Sequence, residues 1–185
     1  MENKLANPGP LGLLGFGMST ILLNIHNAGF FPISAMLLSM GIFFGGFAQV
    51  IVGIMEFKKG NTFGMTAFLS YGFFWLILCA IWIFPDLGIV KGAKTEGAYM
   101  GWFLLIWGIY SFFMWIGTFN KSKTLKFVFM NVWILFFLLA IHNWTGSESI
   151  GIIAGYVGII CGSSAVYLAM AEILEETLGK RLLPF

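Results

Sequence analysis

The chain has 185 residues, of which 59% are hydrophobic, 18% aromatic and only 10% charged, where an ordinary soluble domain carries about 25% charged residues. That balance excludes a water-exposed globular fold, and a formal net charge of +2 is too small to drive binding to nucleic acid. The composition is that of an integral membrane protein, with the lipid bilayer as its solvent and no room for a separate soluble domain.

The leader, residues 1–9, is short and weakly charged and runs straight into the first apolar stretch, so no cleavable signal peptide is expected. A crossing helix needs ~20 mainly apolar residues, and such runs fall at 10–25, 35–55, 63–84, 97–119, 125–144 and 150–174. None repeats polar residues every three to four positions, as a helix with one wet face would. The prediction is an all-α membrane protein, one domain of six spans over 1–185. With a cytoplasmic amino terminus, Lys4, Lys58, Lys59, Lys121, Lys123, Lys126, Lys180 and Arg181 share one side, and only Lys91 and Lys94 the other. This positive-inside bias predicts both termini in the cytoplasm. Trp82, Trp144 and Trp115 fall near span ends, where indoles sit at the interface; Trp75, Trp102, Trp107 and Trp133 are expected to pack against neighbours or lipid.

Lipid gives helices no hydrophobic reason to associate, so small residues must let them approach. The second span offers Gly41, Gly45, Gly46 and Gly53, and the sixth Gly151, Gly155, Gly158 and Gly162 followed by Ser163, Ser164 and Ala165. A faint duplication relates the two ends of the chain. Leu22-Leu23-Asn24-Ile25-His26-Asn27 resembles Leu138-Leu139-Ala140-Ile141-His142-Asn143, and Glu56 and Glu172 keep the same displacement. Transporters often bind solute at such repeat interfaces.

No phosphate loop, metal-ligand spacing or nucleophile-base pair is present, so neither an enzyme, a metal site nor a cofactor is expected. Cys79 and Cys161 read as lone packing thiols within spans three and six. Glu56 and Glu172 fall at cytoplasmic helix ends and are expected as rim groups exposed to the interface. There they avoid the ~2.5–3.5 kcal/mol cost of a charge at mid-membrane. His26 and His142 end the first and fifth spans on the outer side, where imidazoles can respond to acidity; they support a second class, a pH-sensing membrane protein that transports nothing. Uncharged polar residues within spans, Ser19, Thr20, Asn24, Gln49, Thr66, Ser70, Asn131, Ser163 and Ser164, favour a lining for a small polar solute. Gln49 weighs most, because a buried amide needs partners. A channel for a neutral solute such as urea or ammonia is the third class.

The motif Asn7-Pro8-Gly9-Pro10-Leu11-Gly12-Leu13 resembles the NPAPLGL signature of the acetate uptake transporter family. Phe44-Gly45-Gly46 with Gln49, Lys59-Gly60-Asn61-Thr62-Phe63-Gly64 leading to Ser70-Tyr71-Gly72, and Tyr167-Leu168-Ala169-Met170 extend the likeness almost end to end. It is similar to the bacterial succinate-acetate permease branch. The resemblance implies a homohexamer in the bacterial or archaeal cytoplasmic (inner) membrane. Each subunit would have its own path for acetate and related small carboxylates, as a channel or coupled to a proton.

That path is expected to narrow at Phe16, Tyr71 and the position after Phe127-Val128-Phe129-Met130-Asn131, usually Leu but here Val132, whose shorter side chain is expected to loosen the waist. The expected pathway residues are Thr20, Asn24, Asn27, Gln49, Thr66, Ser70, Asn131, Ser164 and Ala165, with Asn7, Pro8, Gly9, Pro10, Leu11 and Gly12 at the mouth. Gly9 stands where Ala is usual. Physically, an apolar ring flanked by amide and hydroxyl donors passes a protonated acid and penalises a hydrated anion. The proline pair starts the helix and is expected to leave first-turn amides free to attract a carboxylate.

Overall fold

The computed structural model describes residues 5–89 and 96–185. Lys4, Lys91 and Lys94, which enter the charge-asymmetry argument, lie outside the described residues. The described residues form six long helical segments and no strand: α1 (Gly9–Asn27), α2 (Ala35–Lys58), α3 (Thr62–Asp86), α4 (Gly97–Ile116), α5 (Lys123–Thr145) and α6 (Glu148–Leu178). Five of them, α2 to α6, are long and apolar enough to cross a membrane. The sixth expected span, α1, has the length at 19 residues but less apolarity, because Ser19, Thr20, Asn24, His26 and its glycines dilute the run.

Local chemistry sets the helix ends. Asn61 Oδ1 accepts from the Gly64 N–H (3.1 Å) and starts α3, and Ser122 Oγ accepts from the Leu125 N–H (3.2 Å) and starts α5. Gly146, at φ 68°, closes α5 in the left-handed conformation that a side chain would resist. Equivalent turns follow α1 and α5: His26 Nδ1 lies 2.7 Å from the Phe31 carbonyl and His142 Nδ1 2.8 Å from that of Ser147. The duplicated Leu-Leu-x-Ile-His-Asn stretches thus make the same local contact.

One helix is irregular. Within α2, Met40–Ala48 is π-helical, and where it returns to α-helix the Gln49 main-chain N–H bonds to the Gly46 carbonyl instead of that of Gly45.

The helices form a ring in the order α1, α2, α3, α4, α5, α6, with α6 returning to α1 and α3 reaching α4 through side chains alone. At the α1–α6 junction the backbones nearly touch: a Cβ on Gly162 would lie 2.6 Å from the Gly17 carbonyl oxygen, and one on Gly17 2.7 Å from that of Gly162. The α3–α4 junction is made instead by large side chains, Phe74 against Trp107 (5.1 Å) and Tyr71 against Tyr110 (5.6 Å). Apolar side chains such as Phe43, Ile51, Trp102, Ile106, Phe113 and Ile160 cover the outside, as a surface solvated by lipid requires. Cys79 and Cys161 are free and buried.

The α1–α6 approach generates a test. Gly162→Ala should lower stability by about 1–3 kcal/mol, because the methyl meets rigid backbone rather than a movable side chain; a thermal unfolding series in detergent should show a reduced midpoint against the wild type.

Candidate functional site

Helices α1, α2, α3 and α5 enclose a cavity of about 230 Å³, completed by Asn7, Asn61 and Glu172 at its polar end. Beyond it lies a second, far smaller space of about 30 Å³, lined by Thr20, Leu23, Asn24, Phe74, Trp75, Leu135, Phe136 and Leu139. Only Phe16, Tyr71 and Val132 line both. The Phe16 and Tyr71 ring centroids are 5.8 Å apart, and Tyr71 and Val132 are almost wholly buried. The rest of the larger wall is mainly apolar, with Leu13, Phe63, Ala67, Phe68, Leu125, Val128 and Phe129.

Tyr71 is fixed by a short chain of hydroxyls. Its O–H donates to Ser111 Oγ (2.9 Å), and the Ser111 O–H donates to the Trp107 carbonyl (2.7 Å). Because a carbonyl can only accept, the direction of both bonds is set. Ser111, with no exposed surface, was not among the expected site residues. Its signal was present as a hydroxyl in the middle of the apolar, aromatic fourth run.

Gln49 is also fully buried and lines the larger cavity. Its Nε2 donates to the Gly45 carbonyl at 2.6 Å, and its Oε1 has no protein partner. In the smaller space Asn24 Nδ2 donates to the Thr20 carbonyl (2.8 Å); Asn27, which lines neither space, donates from Nδ2 to Asn24 Oδ1 (3.0 Å). The Tyr71 hydroxyl proton is thus spent within the protein, whereas each of these amides donates one of its two N–H groups to the protein.

The polar end of the cavity departs from expectation twice. Glu56 is 1% exposed, not an open rim carboxylate; the turn after α2 folds Asn61 back to donate to it at 2.6 Å and sets Lys59 Nζ 3.6 Å away. Glu172 is only half-buried and accepts from Asn7 Nδ2 (3.1 Å). Asn7 Oδ1 in turn accepts from Lys59 Nζ (3.0 Å) and from the Gly9 N–H (3.2 Å). The first-turn amides expected to be free are taken as well, since the Leu11 and Gly12 N–H groups bond to the Pro8 carbonyl.

Of the other expected residues, Asn7 and Gly9 line the larger cavity, Pro8, Pro10 and Gly12 are buried around it, and Leu11 faces outward. Thr66, Ser70, Asn131, Ser164 and Ala165 line neither space. Asn131 Nδ2 donates to the Phe127 carbonyl and the Ser164 hydroxyl to that of Ile160. The Thr66 carbonyl accepts from Tyr110, and Ala165 is core. Among the described residues no group of His, Cys, Asp and Glu could hold a metal ion.

An all-helical bundle that is apolar outside and holds two internal spaces sharing three lining side chains is that of a polytopic membrane protein of the transport class. The chain belongs to the GPR1/FUN34/yaaH family, whose model matches residues 1–179, in keeping with the likeness read from its motifs. It is 52% identical over 183 residues to the succinate-acetate/proton symporter SatP of Escherichia coli strain K12, covering 99% of this chain and 96% of that protein. The solved structure of the bacterial acetate channel SatP superposes with a TM-score of 0.96 at 52% identity, covering 98% of this chain and 99% of that one. The ammonia transport outward protein 2 of Saccharomyces cerevisiae is 36% identical over 177 residues, 92% of this chain and 62% of that protein. These relatives are transport proteins, not enzymes.

Ser111→Ala should destabilise the protein by about 1–3 kcal/mol, because it strands the buried Tyr71 hydroxyl. Adding Tyr71→Phe should recover part of that loss, and the four unfolding midpoints of the double-mutant cycle measure the coupling.

Proposed function

We propose that the protein is a permease for acetate and related small carboxylates in the cytoplasmic membrane, with one pathway per protomer of a homohexamer. All six helices cross the bilayer, α1 included, and both termini face the cytoplasm. The polar end of the larger cavity, beside Lys58 and Lys59, then opens to the cytoplasm.

One observation carries this reading: Phe16, Tyr71 and Val132, the three side chains expected to form the waist, are the residues common to both cavities. A waist of this kind rejects hydrated ions, because stripping water from a charge among apolar side chains costs far more than passing a neutral solute. The relatives named as a symporter of succinate and acetate and as an acetate channel support the substrate class. A neutral solute such as ammonia is the second reading, favoured by the name of the yeast relative. His26 and His142 each meet a carbonyl five residues on, which accounts for both imidazoles without a sensing role.

Purified protein in vesicles should take up labelled acetate faster than protein-free vesicles; equal rates would exclude the permease. Val132→Leu restores the bulkier side chain at the waist and should reduce competition by lactate and succinate while retaining acetate uptake. Unchanged competition would remove Val132 from the waist.

A further inference from the structure

Phe16, Tyr71 and Val132 stand between the two internal spaces, and a second boundary lies at the polar end of the larger one. Outside that end is an open vestibule of about 800 Å³, bounded by Lys58, Lys59, Glu175 and Glu176. Asn7 and Glu172 alone line both the vestibule and the cavity, and they are bonded to each other, Asn7 Nδ2 donating to Glu172 Oε2 at 3.1 Å. The bond joins the chain ahead of α1 to α6. Asn7 Oδ1 accepts from Lys59 Nζ (3.0 Å) and from the Gly9 N–H (3.2 Å), which gives the amide one orientation, with Nδ2 turned to the carboxylate. Behind it, Lys59 lies 3.6 Å from Glu56, which accepts from Asn61 at 2.6 Å. A continuous line of polar contacts thus runs from the turn between α2 and α3, through the segment before α1, to α6. Its last link is the one that parts most easily. Asn7 is exposed and Glu172 only half-buried, so water takes over each group when their bond breaks, whereas Glu56 is shut away from water.

We propose, resting on the permease reading, that Asn7 and Glu172 form a gate across the polar mouth of the larger cavity, closed by the hydrogen bond between them. Glu172 is the moving leaf. Among the described residues its carboxylate has no other hydrogen bond or ion pair, whereas Asn7 is held by two further bonds. The gate is polar and stands at the water-facing end of the path, so it is distinct from the apolar side chains deeper in.

The test places a thiol behind the gate. Ala67 is buried in the wall of the larger cavity, and the parent protein for the test carries Ala67→Cys, labelled with methyl methanethiosulfonate, a small neutral reagent whose arrival is insensitive to charge at the mouth. The native Cys79 and Cys161 are buried and line none of the three spaces; the unsubstituted protein gives their background rate. Asn7→Asp keeps the acceptor for Lys59 and Gly9 but sets a carboxylate oxygen against Glu172. It should raise the labelling rate roughly fivefold, the equivalent of one hydrogen bond. Adding Glu172→Gln to Asn7→Asp restores a complementary pair with the donor on the other side, and should return the rate to that of the parent. An Asn7→Asp rate equal to the parent's, or a reversed pair that labels as fast as Asn7→Asp alone, overturns the gate. Should Asn7→Asp fail to assemble, Glu172→Ala carries the same expectation, because it leaves both bonds that hold Asn7; an unchanged rate there overturns the gate equally. Labelling needs no transport, so these outcomes are separate from a failure of the permease reading, which would show as wild-type vesicles taking up labelled acetate no faster than protein-free ones.

Discussion

In hydrocarbon no water is available to repair an unmet polar group, so each donor and acceptor has to find its partner inside the protein. The helices meet this demand for the main chain. The side chains meet it by a repeated local device, donating back to the carbonyl one turn earlier: Asn24 to Thr20, Gln49 to Gly45, Ser111 to Trp107, Asn131 to Phe127, Asn143 to Leu139 and Ser164 to Ile160. The device is cheap in sequence terms, because each residue satisfies itself without a partner helix. It does not reach every group. Three buried polar atoms among the described residues stay outside it: Gln49 Oε1 and the indole N–H groups of Trp115 and Trp133 have no partner in the protein.

The same absence of water decides how the ring is spaced. Glycines at the α1–α6 crossing let two backbones approach until neither tolerates a methyl group. Across the ring, α3 and α4 are joined through aromatic rings and hydroxyls. Close contact on one side and bulky spacers on the other leave an interior that the remaining side chains do not fill. Phe16, Tyr71 and Val132, one side chain each from α1, α3 and α5, line both internal spaces, and Trp107, Tyr110 and Phe129 pack around the Tyr71 ring.

The sequence carried the fold because apolar length and the charges between runs are one-dimensional signals, and the helices follow them closely. The motif positions Phe16, Tyr71 and Val132 fall where the two internal spaces share a wall. The sequence did not carry the facing of each helix, since runs that are apolar all round have no polar side to orient them. Lining follows a stripe that only packing defines: Leu13, Phe16, Thr20 and Leu23 on α1, Gly64, Ala67, Tyr71 and Phe74 on α3, and Val128, Val132, Leu135 and Leu139 on α5. Ser70 and Asn131 each precede a lining residue by one position, about 100° around the helix, so their side chains fall outside the stripe. Burial of Glu56 was hidden for a different reason. Its partners Lys59 and Asn61 lie in a turn that reads as an ordinary loop, and only its fold-back brings them to the carboxylate.

Magnitudes decide which form of a small acid the apolar side chains shared by the two spaces favour. An anion at mid-membrane faces a penalty of ~2.5–3.5 kcal/mol even on the mildest scale, a factor of roughly a hundred or more against passage. A neutral acid faces only the imperfect exchange of one or two hydrogen bonds, ~1 kcal/mol each. On the permease reading, an apolar waist would separate the two forms without a mechanical gate. On that reading a route that conducts like a channel would carry one proton with each neutral acid, because coupling would reside in the chemical form admitted and not in a moving part.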